Sequence, residues 1–343
     1  MPAPKPREKI KMSFKLPFWS PSEAEAVLFD WDGVIVDTCL DFSGVREKYY
    51  GRRKAMLLED SVSLRPEERE GLMRDLEDIE MAGAAAAKPV PDASGVIAWF
   101  ERHGVPWAIV SRNCRKSILK AAETLSVTLP EIVRSRDDGD SVKPDPKALA
   151  DTCRCMAADP AQTLFIGDYV YDMMGARRAG MRGVLVRKAI EPGWDEWLEF
   201  SCGSMSGLLK ELQTPGLIVP WEYKNAAARN GIGFLRKTAA MTALVPRELR
   251  AGTDRWLLTA ASLGIGSFAV PDVEFPATSW TENPSFDLAC MGAPLIEAVK
   301  RLLRARFPLA SVKPAGTAGR HVALPPEPDG IESFLLRAEA DDG

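Results

Sequence analysis

Three short apolar runs that each end on an oxygen-bearing side chain constrain this chain more than any other feature. Ala26 to Phe29 stops at Asp30, Trp107 to Val110 stops at Ser111, and Thr163 to Ile166 stops at Gly167-Asp168; a fourth run covers Arg182 to Val186. Between and around them lie amphipathic stretches of helical spacing: Ser94 to His103, Arg115 to Leu125, Pro146 to Ala157 and Tyr171 to Ala179. A strand with no polar alternation must be covered on both faces, and crossover helices supply that cover. The expected fold over residues 24–213 is therefore α/β, a doubly wound parallel sheet.

In such a sheet ligands collect beyond the carboxyl ends of the strands. Asp30, Asp32, Ser111, Asp168 and Asp172 all fall there. Asp30 and Asp32 leave one strand two positions apart, so both can approach one point. With Asp168 and Asp172 arriving from another strand end, four carboxylates crowd together. Such a cluster raises its own pKa values unless a divalent cation lies among them. Oxygen donors without Cys or His select Mg²⁺. Lys143 and Ser111 add the cation and the hydroxyl that hold phosphoryl oxygens. The ordinary alternatives are an exposed turn for Asp30 and Asp32, a solvated loop for Lys143, and a helix-dipole role for Asp172.

The stretches FDWDGVIVDT, VSRN, KPDP and GDYVYD resemble, in order, the four motifs of the haloacid dehalogenase-like (HAD) superfamily. The resemblance covers residues 24–213. It is similar to the phosphoglycolate phosphatase and β-phosphoglucomutase branch, which implies a Rossmannoid core with a small helical cap at about residues 39–88. It further implies that Asp30 is a nucleophile forming an aspartyl phosphate and that Asp32 is the general acid, then the base. Ser111, with backbone N–H groups near Gly33 and Arg112, would hold phosphoryl oxygens, and Arg112, directly after Ser111, and Asn113 join them as substrate-binding residues. Lys143 would neutralise nucleophile and phosphate. Mg²⁺ would be held by Asp30, Asp168 and the carbonyl of Asp32, with Asp172 in its outer shell or on a ligating water.

The activity so implied is Mg²⁺-dependent hydrolysis of a phosphomonoester, with a small phosphorylated metabolite as substrate. An acid at Asp32 separates the chain from family dehalogenases and phosphonatases, and the small cap favours hydrolysis over phosphomutase chemistry. A non-catalytic phospholigand-binding or regulatory protein is the other alternative, and the intact Asp30 and Asp32 argue against it. In the cap, helices are expected over Phe42 to Glu59 and Pro66 to Met81. Its basic run of Arg46, Lys48, Arg52, Arg53 and Lys54 reads as a solvated face balanced by Glu67, Glu68 and Glu70, or as a contact to an anionic part of the substrate.

Residues 1–23 read as a frayed leader. Past Thr214-Pro215-Gly216 the rhythm changes, and residues 214–343 are expected to form an α+β domain that serves dimerisation or partner binding. Helices are expected there over Gly233 to Leu244 and Ala293 to Arg306, and strands over Ser267 to Val270 and His321 to Leu324. Trp221, Trp256 and Trp280 suit either its core or a binding surface. The 44 basic and 48 acidic residues give a net charge of −4, which does not point to nucleic acid or a membrane surface. Arg301, Arg304 and Arg306 suit the negative pole of a helix end instead. No apolar run reaches the ~20 residues that span a bilayer. Six cysteines without a paired framework fit a reducing cytoplasm.

Overall fold

The structure, a computed structural model, describes residues 18–51, 55–139, 141–276, 279, 281–317 and 321–340. Two compact units are present: Pro21–Gly216, and Leu217–Gly343 together with the N-terminal stretch up to Ser20.

The first unit is built on a six-stranded sheet in which every pair is parallel. Its strands are β1 (Ala26–Phe29), β4 (Trp107–Val110), β5 (Val133–Arg134), β6 (Thr163–Gly167), β7 (Arg182–Leu185) and β8 (Phe200–Ser201). A separate antiparallel pair, β2 (Val36–Asp37) with β3 (Lys88–Pro89), forms the base of the cap. The helices are α1 (Ser43–Tyr50) and α2 (Pro66–Ala85) in the cap. In the core they are α3 (Ala93–Arg102), α4 (Arg115–Leu125), α5 (Pro146–Cys155), α6 (Val170–Arg178) and α7 (Met205–Gln213).

Strand order is β5-β4-β1-β6-β7-β8. The chain winds outward from β1 through β4 to β5, then returns to the other side of β1 to add β6, β7 and β8. The order therefore reverses at β1, and the crevice at its carboxyl end is the switch point where ligands bind. Side chains alternate across the sheet. Leu28, Ala108, Val110 and Phe165 pack with Leu149 of α5 and Met173 of α6. Phe29 points the other way, its ring 6.1 Å from that of Phe100 on α3. The four apolar runs are thus all strands, buried along their length apart from Trp107.

The cap has its own small core of Val45, Tyr50, Leu57, Leu72 and Leu76. Its first helix is much shorter than the Phe42 to Glu59 span expected. Gly51, at φ +62° and ψ −136°, ends α1 in a positive-φ conformation that favours glycine. The second runs a turn longer than expected, to Ala85, with Pro66 in its first turn and the Glu68 carboxylate accepting from the Arg65 N–H.

The second unit contains β9 (Thr242–Leu244), β10 (Ser267–Val270), β11 (Ser311–Pro314) and β12 (His321–Val322), with α8 (Lys224–Ala239), α9 (Thr253–Ser262), α10 (Leu295–Arg304) and α11 (Pro328–Ala340). Its order is β11-β10-β9-β12, and all three pairings are parallel. Helices and strands both occur, as expected, but they alternate rather than segregate, because parallel neighbours need crossover connections. The helix expected over Gly233 to Leu244 ends at Ala239, and Thr242–Leu244 is instead a strand between two neighbours. Phe234, Leu257, Phe268, Leu295 and Ile331 share the core with Phe18. The leader expectation thus fails at its end: Trp19 and Ile218 exchange backbone hydrogen bonds of 3.1 and 3.2 Å, and both Phe18 and Trp19 are buried. Residues 1–17 lie outside the described residues, as does Trp280. Trp256 is a core residue whose Nε1 donates to the Pro325 carbonyl at 2.7 Å.

Candidate active site

Asp30 is the first residue beyond β1, and its N–H donates to the Ile166 carbonyl of β6 at 2.9 Å. That bond fixes the nucleophile candidate to the strand that also delivers Asp168. One oxygen of Asp30, Oδ1, accepts the Trp31 N–H at 2.7 Å and lies 2.7 Å from Lys143 Nζ. The same ammonium lies 2.8 Å from Asp172 Oδ1. Lys143 is fully buried at the side chain and Asp172 nearly so, at 0% and 2% exposed, so these charges are paired where water does not screen them. Asp172 has a second task. Its Oδ2 accepts the Tyr169 N–H at 3.0 Å, closing the first turn of α6.

Asp30, Asp168 and Asp172 each offer an oxygen within 4.8 Å of the other two. Burial pushes the Asp30 carboxyl up to about 7, with the Asp172 charge adding to the rise and Lys143 opposing it. Asp168 is pushed up to about 8 by burial first, then by the charges of Asp172 and Asp30. Burial alone would lower the Lys143 pKa, but Asp172 and Asp30 more than offset it, so the lysine holds its proton firmly. One lysine facing three carboxylates leaves the cluster short of positive charge. A hard divalent cation fits that deficit and the all-oxygen donor set.

Asp32 lines the same cavity and is held by Thr38. Its Oδ1 accepts the Thr38 N–H at 2.8 Å and the hydroxyl at 2.5 Å. Burial raises its pKa against those two hydrogen bonds, which favours the protonated form. Gly33, at φ +73°, makes the turn that brings both aspartates round, and its N–H is committed to the Val36 carbonyl at 2.7 Å. A Cβ there would come within 2.3 Å of Asp168 Oδ2, so the backbone passes against the carboxylate as only glycine permits.

Ser111 and Asn113 are buried in the turn after β4, where Ser111 Oγ accepts the Asn113 N–H at 3.1 Å. Arg112, between them, is engaged by the cap: its guanidinium grips Glu59 at 2.5 and 3.0 Å and lies 5.1 Å over the Tyr171 ring. A cavity of about 450 Å³ opens at the switch point. Asp30, Asp32, Asp168 and Asp172 line it together with Arg112 and Asn113, and the cap adds Phe42, Arg46 and Met56. Of the basic cap run, Arg46 thus faces the cavity and Lys48 pairs with Asp75 at 2.6 Å; Arg52, Arg53 and Lys54 lie outside the described residues.

Three supporting residues were not singled out from the sequence, where their signals are faint or absent. Thr38 closes the first motif stretch, and a hydroxyl six positions beyond Asp32 was its only signal. Glu59 has none. Glu80 had one: it sits in the apolar stripe Leu72, Leu76, Glu80, Ala84 of α2. There it pairs with Arg136 and accepts the Cys114 N–H at 2.8 Å.

Residues 46–186 match the haloacid dehalogenase-like hydrolase family. N-acetylmuramic acid 6-phosphate phosphatase of Pseudomonas aeruginosa is 29% identical over 192 residues, which cover 48% of this chain and 81% of that protein. Pyrophosphatase PpaX of Halalkalibacterium halodurans is 25% identical over 184 residues, covering 49% and 86% respectively. Phosphoglycolate phosphatase 1 of Pseudomonas aeruginosa is 24% identical over 198 residues, covering 50% and 72%.

Proposed function

We propose that the Pro21–Gly216 unit is a haloacid dehalogenase-like phosphatase that hydrolyses the phosphomonoester of a small metabolite through an aspartyl phosphate on Asp30, with Mg²⁺ at the carboxylate cluster. The observation that carries this reading is Lys143 Nζ set between Asp30 and Asp172 at 2.7 and 2.8 Å, with Asp168 alongside.

In the first half-reaction an Asp30 carboxylate oxygen attacks phosphorus and the ester P–O bond breaks. Asp32, protonated at the outset, gives its proton to the departing oxygen. In the second, Asp32 as carboxylate takes a proton from water, the water oxygen attacks phosphorus, and the acyl phosphate P–O bond breaks to free Asp30 and inorganic phosphate. Thr38 holds Asp32 in place for both transfers. Lys143 opposes the burial that raises the Asp30 pKa and offsets charge on the phosphoryl oxygens, which Ser111 and the backbone of its turn also approach. Asp30, Asp168 and Asp172, with the Asp32 carbonyl, would hold Mg²⁺, which when bound supplies positive charge to the phosphoryl group and nucleophile.

The named relatives act on three different phosphate compounds, so the proposal stays at the level of a small phosphorylated metabolite. A cytoplasmic setting belongs to the same reading, since all six cysteines are free thiols. The test is phosphate release from a panel of phosphomonoesters with and without Mg²⁺, beside Asp30→Asn. Release that requires the cation and vanishes in Asp30→Asn is expected. A folded, cation-loaded protein that releases phosphate from none of them would overturn the hydrolase.

A further inference from the structure

We propose that Arg112 is a positioning residue that ties the cap, through Glu59, to the main chain of the catalytic lysine; the role assigned to that lysine rests on the reading above. Arg112 follows Ser111 directly, so its backbone is part of the turn beyond β4. Its Nη1 and Nη2 donate to the two carboxylate oxygens of Glu59 at 2.5 and 3.0 Å. Nη1 also donates to the main-chain carbonyl of Lys143, and the guanidinium covers the Tyr171 ring on α6. Glu59 belongs to the cap, between α1 and α2. One side chain therefore joins the cap to the Ser111 turn and to the residue whose Nζ grips Asp30.

Two features set this pair apart from a surface ion pair. It is bidentate, and its partners are only 23% and 27% exposed, so screening is partial and geometry is fixed. A second tie runs beside it: Arg136, paired to Glu80 of α2, also donates to the Arg112 carbonyl at 3.3 Å. Both the side chain and the main chain of Arg112 are thus anchored to the cap. If the cap swings away, the Glu59 contact breaks, and Lys143 loses a fixed partner on its backbone. Interactions that fix the pose of reacting groups appear in kcat more than in KM.

The test compares Glu59→Gln, Arg112→Lys and the double variant with the full-length protein, using its best phosphomonoester substrate and Mg²⁺. Amide hydrogen exchange of α1 without substrate is measured on the same samples. Glu59→Gln is expected to lower kcat about tenfold with little change in KM, as loss of a charge-assisted bond would. The double variant should be no slower than the slower single one, since both break one linkage. The α1 amides should exchange faster in Glu59→Gln. Wild-type kcat in Glu59→Gln, or losses that multiply in the double variant, would overturn the proposal. So would Arg112→Lys raising KM at unchanged kcat, which would mark direct substrate contact instead. If the wild type turns over no phosphomonoester, the hydrolase reading fails by itself. The exchange measurement still decides the tie in that case: unchanged α1 protection in Glu59→Gln sinks it.

Discussion

Asp30 and Asp168 are acids kept partly protonated by their surroundings, and that has a measurable cost without a cation. Their carboxyls sit at about 7 and about 8 in the folded chain, against an ordinary aspartate value of about 3.9. Between those limits the folded state binds more protons than the unfolded one, so stability falls as pH rises. Metal-free protein should therefore lose thermal stability from about pH 5 to pH 8. Mg²⁺ displaces those protons, so its stabilising effect should be larger at pH 8 than at pH 5.5. Thermal unfolding with EDTA or excess Mg²⁺ at the two pH values reads both effects, and an Mg²⁺ shift that is larger at pH 5.5 would contradict them. Gly33→Ala should damage the same cluster. The new Cβ meets Asp168 Oδ2 at 2.3 Å in a φ +73° backbone, a strain of about 1–3 kcal/mol. Weaker Mg²⁺ binding by calorimetry and a lower unfolding midpoint are expected together; either quantity left at its wild-type value would refute the steric account. At this scale the sequence was legible in its placement of Asp30, Asp32, Ser111 and Asp168 just beyond strand ends. Lys143 and Asp172 were readable only in relation to these. Glu59 was not readable at all, because a cap residue and Arg112 meet only after the chain has folded back across 53 positions.

Elements were legible in proportion to how much local pattern they carry. The four long core strands are continuous apolar runs and stand out; β5 and β8 have two residues each and take their strand character from neighbours alone. In the second unit Thr242–Leu244 was absorbed into a helix because a three-residue strand cannot show a period. The most informative irregularity was in α2, whose apolar stripe is interrupted by Glu80. This carboxylate is 3% exposed at its side chain and Arg136 is 8% exposed, so removing the charge strands a guanidinium in the interior. Glu80→Gln should lower the stability of the Pro21–Gly216 unit by about 3–5 kcal/mol. Asp75→Asn breaks an open pair in which Lys48 is 60% exposed, and should cost about 1 kcal/mol or less. Urea unfolding of both variants makes the comparison. Equal losses would mean that α2 is held by its leucines rather than by the buried pair.

At the scale of the whole molecule, covalent order and structural membership disagree over a short stretch. Phe18 and Trp19 precede the first strand of the phosphatase unit, yet Phe18 is buried in the core of the other one and Trp19 pairs with Ile218. The chain therefore leaves one unit, completes the other and comes back. This makes the choice of cut decisive. A fragment of residues 21–216 keeps every core and cap contact described for its unit, so it should unfold cooperatively and retain Mg²⁺-dependent phosphate release. A fragment of residues 1–216 keeps the same contacts but uncovers Phe18 and Trp19, which are 5% and 6% exposed in the intact chain. Adjacent uncovered aromatics favour association, so the longer fragment should self-associate at concentrations where the shorter one stays monomeric. Sedimentation of the two fragments, with circular dichroism to confirm folding, separates the outcomes. If residues 21–216 fail to fold, the phosphatase unit depends on the rest of the chain for stability, and the division at Gly216 is one of contacts only.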